Sequence, residues 1–199
     1  MALEHPHTMT VAEYLQFEET DTENRYEYID GQVSMLAGGT FDHSTISGNI
    51  YSILRGLLRG TSCRVYNSDI KVQISQKRYF HPDVTVTCNQ RDRGTGDLLQ
   101  SPRVIFEVLS PSTEISDRTW KLQNYLALAT MEEYILVNTK SLKMETYHKE
   151  NGRWIYEIYE AHATVILPSI SVQFPLRDAY TGTELEENFL EAESDHETN

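Results

Sequence analysis

Cysteine, positive charge and long apolar runs are all scarce in this 199-residue chain. No run of 18 apolar residues occurs, so no membrane-spanning helix is expected. The first seven residues, Met1 to His7, have neither a basic region nor an apolar core, so they do not read as a signal peptide. The two cysteines, Cys63 and Cys88, form no C-x-x-C. They read as free thiols of a reducing cytoplasm, with a disulfide as the second reading. Several nucleotide and metal motifs are missing too. There is no G-x-x-x-x-G-K-[ST], which excludes a P-loop, and no H-E-x-x-H or EF-hand loop. Gly94-Thr95-Gly96 lacks the third glycine and the following helix of a dinucleotide loop. Ser68 to Lys71 fits S-x-x-K but falls at a strand, not at a helix start.

Basic residues number 17 against 30 acids, a formal net charge of -13. That sum argues against a polyanion partner, but the distribution does not. Residues 55–103 carry nine bases and four acids, whereas residues 1–54 carry one base and nine acids, and residues 184–199 seven acids and no base. The basic block, with Lys71, Lys77 and Arg78 in it and Arg118 shortly after, supplies candidate phosphate-binding side chains.

Hydrophobic residues make up 39% of the chain, enough for one cored domain. We place that domain at 1–183, followed by an acidic tail, frayed or helical, at 184–199. Thr10 to Glu13 spells a capping box for a short helix. Arg25 to Ile29 and Gln32 to Leu36 flank Asp30-Gly31, a hairpin signal. Ile46, Ile50, Ile53, Leu54, Leu57 and Leu58 recur at helical spacing after Asp42, a candidate cap, and Gly60 marks the end of that helix. Strands are expected at 64–66, 70–74, 83–88 and 103–109, with a basic turn at 76–79 and a polar loop at 89–101. A helix is expected over about 116–129, and four more strands near 133–138, 143–148, 154–159 and 165–167. This order predicts an α/β (α+β sandwich) fold with a mixed central β-sheet flanked by helices and an N-terminal β-hairpin. The strand–helix–strand unit at 104–137 should be a right-handed crossover.

The chemistry concentrates between His81 and Lys121. Asp83 follows Pro82 at a strand start, and Glu107 lies inside the apolar run Val104 to Leu109. A carboxylate in such a run is costly unless paired. Two in consecutive strands point to a shared partner, and hard oxygen ligands suit Mg2+, with Mn2+ as a substitute. Lys121 lies one turn after Asp117 on the next helix and borders its apolar stripe, from which an ammonium can reach the acids. His43, after Asp42, reads as a capping-turn histidine, and His81 as a strand-edge residue. His5, His7, His148, His162 and His196 have no partner pattern.

The ordered set Tyr26-Glu27-Tyr28-Ile29-Asp30-Gly31, His43, Pro82-Asp83-Val84, Phe106 to Thr113, Asp117, Lys121 and Glu133 to Val137 resembles the PD-(D/E)XK nuclease superfamily. It resembles more closely the superfamily's Uma2 family, described as restriction endonuclease-like, over about residues 9–178. The resemblance implies a restriction-endonuclease-like core and a magnesium-dependent endonuclease acting on nucleic acid, here DNA. It also implies Asp83, Glu107 and the Val108 carbonyl as metal ligands, Glu27 as a further acid, His43 near the metal or phosphate, and a homodimer. The superfamily lysine expected two residues after the glutamate is Leu109 here, and Lys121 takes its place. The alternative from another class is a catalytically silent adaptor of the same fold that binds nucleic acid or protein.

Overall fold

A computed structural model describes residues 8–21, 23–36 and 38–197, with side chains as far as Glu193. The expectations for Met1 to His7 and for the His196 side chain lie outside these residues. Thr10 caps α1 (Val11–Thr20), and the Glu13 carboxylate accepts from the Thr10 backbone amide at 2.7 Å, closing the capping box. β1 (Tyr26–Ile29) and β2 (Gln32–Met35) pair through the Asp30-Gly31 turn, both of whose residues take positive φ (49° and 103°). Asp30 tolerates that conformation, and Gly31 makes the turn cheap.

α2 (Phe41–Leu57) buries Ile46, Ile50 and Leu54 completely. Each contributes about 2 kcal/mol by leaving water. Its cap is Thr40, whose hydroxyl accepts from the His43 amide; Asp42 sits inside the first turn instead. There its charge favours the helix N-terminus without capping it.

Two larger sheets follow. β3 (Arg64–Asn67), β6 (Val84–Thr87), β8 (Val104–Val108), β9 (Glu133–Val137), β10 (Lys143–Glu150) and β11 (Arg153–Glu160) form a six-stranded sheet in the order β11-β10-β9-β8-β6-β3. It is mixed, because β8 and β9 run parallel and the other pairs antiparallel. The second sheet joins the hairpin to β4 (Lys71–Ser75), β5 (Arg78–Phe80) and β7 (Leu98–Leu99). Here the sequence reading is corrected. Arg78 and Tyr79, expected in the turn at 76–79, belong to a strand because Tyr79 pairs with both Tyr28 and Gln73, and the loop at 89–101 contains β7. β12 (Thr164–Leu167) and β13 (Val172–Pro175) make a small third sheet.

The central strands β6, β8 and β9 are covered on both faces, as their continuous apolar runs require. Val104, Phe106 and Val108 pack toward α2, whereas Ile105 and Leu109 pack toward Phe80, Tyr125 and Tyr134. The acidic C-terminus is α5 (Glu184–Glu197), and its Leu185 and Phe189 pack on the α2-side core.

The cysteines are also corrected. Cys63 and Cys88 are joined by a disulfide, one step beyond the Arg64↔Thr87 pair of β3 and β6. A separation of 25 residues carries no local signal of this; the strand register brings them together.

Candidate active site

Asp83 stands one residue before β6, next to the Val84↔Phe106 pair, which brings it beside Glu107 of β8. Its Oδ2 accepts from the Val108 amide at 2.7 Å and lies 3.4 Å from His43 Nε2. Asp83, Glu107 and His43 all line one cleft of about 470 Å3, with Arg25, Ser110 and Thr113 also in its wall.

Behind the cleft, the chain from Thr113 does not form the single regular helix expected over 116–129. α3 (Glu114–Ser116) passes into a π-helical turn (Asp117–Lys121) and then into α4 (Leu122–Leu126). A π-turn has a wider period than an α-helix, and such turns recur at functional sites. Here it turns both Asp117 and Lys121 inward, 1% and 3% exposed. Lys121 is therefore not a border residue. Its Nζ lies 2.8 Å from Glu27 Oε1 of β1, 3.2 Å from Asp117 Oδ1 and 3.4 Å from Glu107 Oε1. Tyr125, one turn further on, donates to Glu107 Oε1 at 2.9 Å. Tyr134 of β9 donates to the Asp117 carbonyl at 3.0 Å.

The electrostatics follow from this crowding. Burial raises the Glu107 carboxyl well above the ordinary range; Lys121 opposes the shift, while Asp117, Asp83 and Glu27 add to it. Burial raises Asp117 as well, against the pull of Lys121 and Thr113. Burial alone would lower Lys121, but the surrounding Glu107, Glu27 and Asp117 outweigh it and hold the ammonium charged. His43 behaves similarly. Burial lowers it, yet the Asp83 carboxylate and the Val108 carbonyl together bring its affinity for a proton above the ordinary value. Gly39 packs against this imidazole: a Cβ there would come within 2.8 Å of His43 Nδ1.

Four carboxylates, Glu27, Asp83, Glu107 and Asp117, thus face one lysine and one histidine. Among the described residues no three His, Cys, Asp or Glu side chains form a ready-made metal cage. A hard divalent ion does not need one, because magnesium keeps several waters and is commonly held by one or two carboxylates plus substrate phosphate. The oxygens of Asp83 and Glu107 at the cleft, together with the Val108 carbonyl, fit that donor set, and the surplus negative charge fits a cation.

The candidate phosphate-binding residues are placed elsewhere. Lys71 is buried and paired with Glu18 at 2.5 Å and Asp97 at 3.0 Å. Glu18 also holds His81 at 3.1 Å, so His81 belongs to a buried network. Arg78 meets Asp30 and Asn124, and Arg118 is bidentate to Glu145, with Glu114 at its Nε. Lys77 is exposed in the β4–β5 turn. None of the four lines the cleft.

A protein of Synechocystis sp. (strain ATCC 27184 / PCC 6803 / Kazusa), described as "Uncharacterized protein slr1290", is 39% identical over 172 residues, which is 85% of this chain and 90% of that protein. A second Synechocystis protein, "Uncharacterized protein sll1609", is 30% identical over 151 residues, 74% of this chain and 85% of its own length. The crystal structure of "a putative nuclease belonging to DUF820" from Anabaena variabilis ATCC 29413 shares the fold, with a TM-score of 0.72 over 87% of this chain and 98% of that one, at 18% identity. Residues 11–177 match the Uma2 family, described as "Putative restriction endonuclease", and the chain belongs to that family.

Proposed function

We propose that this protein is a magnesium-dependent endonuclease that hydrolyses phosphodiester bonds in DNA. The observation that carries the reading is the acid cluster, in which Asp83 and Glu107 meet at an open cleft and Lys121 lies behind them. Family membership supports it, as does the name of the structural relative. Asp83, Glu107 and the Val108 carbonyl would hold the ion. When bound, magnesium supplies Lewis-acid activation of a phosphoryl oxygen and of an attacking water. The chain's own residues do the rest. Lys121 keeps Glu107 oriented and offsets part of the buried negative charge. His43, tied to Asp83, places an imidazole at the cleft wall, and in its protonated form it would stabilise charge developing on the phosphate. Tyr156 and Ile158, exposed on one face of edge strand β11, offer a surface for pairing two chains, an arrangement that would present one site to each strand of a duplex.

One observation favours the adaptor reading: Lys121 already takes up Glu27, Glu107 and Asp117, as a structural ion cluster would. Incubation of end-labelled duplex DNA with magnesium or with EDTA separates the two. Cleavage in magnesium, absent in EDTA and absent from Asp83→Asn, supports the endonuclease. A wild-type chain that binds DNA and never cuts it supports the adaptor.

A further inference from the structure

The molecule has a second, larger concavity, of about 860 Å3, at the far end of α2 from the cleft. Tyr51, Ser52, Arg55, Arg59, Arg64 and Tyr66 line it. Its charge is unlike that of the rest of the chain, since residues 43–68 contain three arginines and no acid. Lys71, Arg78 and Arg118, three of the expected phosphate-binding cations, and the buried Lys121 each have a carboxylate within 4 Å. Among the described residues, the groove arginines have none. Arg55 donates to the Tyr51 hydroxyl at 3.0 Å and stacks over that ring, Arg64 donates to the Thr61 and Cys63 carbonyls, and Arg59 is exposed. Arg93 adjoins them, donating to the Ser62 carbonyl. The Cys63–Cys88 disulfide fixes the floor.

Groove and cleft share one helix surface. Ser44 and Ser47 of α2 line the cleft, Tyr51 and Arg55 follow at steps of four on the same side, and Arg59 lines the groove from the turn just past the helix end. The rise from His43 to Arg55 is about 18 Å, which matches roughly five base pairs of duplex at 3.4 Å each.

We propose that this face of α2 is a backbone track: a DNA duplex whose scissile phosphate sits at Asp83 and Glu107 continues along Ser44 and Ser47, and its flanking phosphates are bound by Arg55, Arg59 and Arg64. The proposal rests on the reading of the cleft as a phosphodiester-hydrolysing site. Guanidiniums lacking carboxylate partners in an acidic protein are available to an external polyanion, and hydroxyls and backbone-facing side chains suit contacts that carry no base specificity.

The test is equilibrium binding and cleavage of nested duplexes, one flank shortened stepwise from about 15 to about 3 base pairs, by the wild type and by Arg55→Gln/Arg59→Gln. Both substituted residues are exposed, and a thermal melt checks the fold. The wild type is expected to lose affinity once the flank falls below about five base pairs. The double variant, left with Arg64 alone on the track, should distinguish long from short duplexes much less than the wild type does, and its affinity for the short duplex should equal that of the wild type. Its slope of log affinity against log salt should be shallower by about two, so its deficit on long duplex shrinks about tenfold between 50 and 200 mM salt. If the wild type cleaves DNA but neither trimming nor substitution changes affinity or salt slope, the track is wrong and the active-site reading stands. If the wild type neither binds nor cleaves any duplex, both fail.

Discussion

Replacing Lys121 by methionine removes a charge while keeping most of the packing, and it tests how the acid cluster is held. The lysine lies within 3.4 Å of three carboxylates, and lysine and carboxylates alike are at most 8% exposed. Removing one partner from a buried ion pair costs about 3–5 kcal/mol, because the other charge stays buried without compensation. Against a typical domain stability of 5–15 kcal/mol, that is a large fraction. The loss should depend on pH. Burial has already raised Glu107 and Asp117, and without the ammonium they rise further. A carboxyl whose folded-state pKa exceeds its unfolded value makes the folded state the stronger proton binder, so stability falls as pH rises above about 4.5. Urea unfolding of Lys121→Met should therefore show the full deficit at pH 8 and a smaller one at pH 5.5. A deficit below about 1 kcal/mol at pH 8, or one equal at both pH values, would refute the claim that the lysine compensates ionised buried acids.

Three further outcomes follow from the structure. Burial raises Glu133 to about 7, with Ser169 bonding it at both oxygens, so Glu133→Gln should be more stable than the wild type above pH 8, by up to about 3 kcal/mol, the gap closing toward pH 5 in urea titrations. Reduction of Cys63–Cys88, which closes a loop of 25 residues, should cost about 3 kcal/mol in the same assay with and without dithiothreitol. Gly39→Ala should displace the His43 ring and lower cleavage about tenfold or more with little change in melting temperature, as seen by comparing kcat with thermal unfolding.

The elements with strong local signals were legible in the sequence. The capping box at Thr10, the Asp30-Gly31 hairpin and the Ile46–Ile50–Leu54 stripe each depend on residues within one turn or two of each other. The neighbouring strands of Asp83 and Glu107 were legible because two acids in apolar runs demand an explanation. What stayed hidden depends on distant pairing. β5 is only three residues, too short for alternation to show, and exists because β1 and β4 flank it. The disulfide follows from the β3–β6 register, and the neutralisation of Lys71 and Arg118 from Glu18 and Glu145, 53 and 27 residues away. The π-turn hid the burial of Lys121, because a regular helical period left that residue at the edge of the stripe.

The central claim is that Asp83 and Glu107 hold a divalent ion at the cleft. Manganese titration followed by electron paramagnetic resonance, on the wild type and on Asp83→Asn and Glu107→Gln, addresses it without relying on catalysis. The account predicts one bound ion per chain in the wild type, displaced by magnesium and lost in both variants. No binding by the wild type, or binding unchanged in the variants, would contradict it.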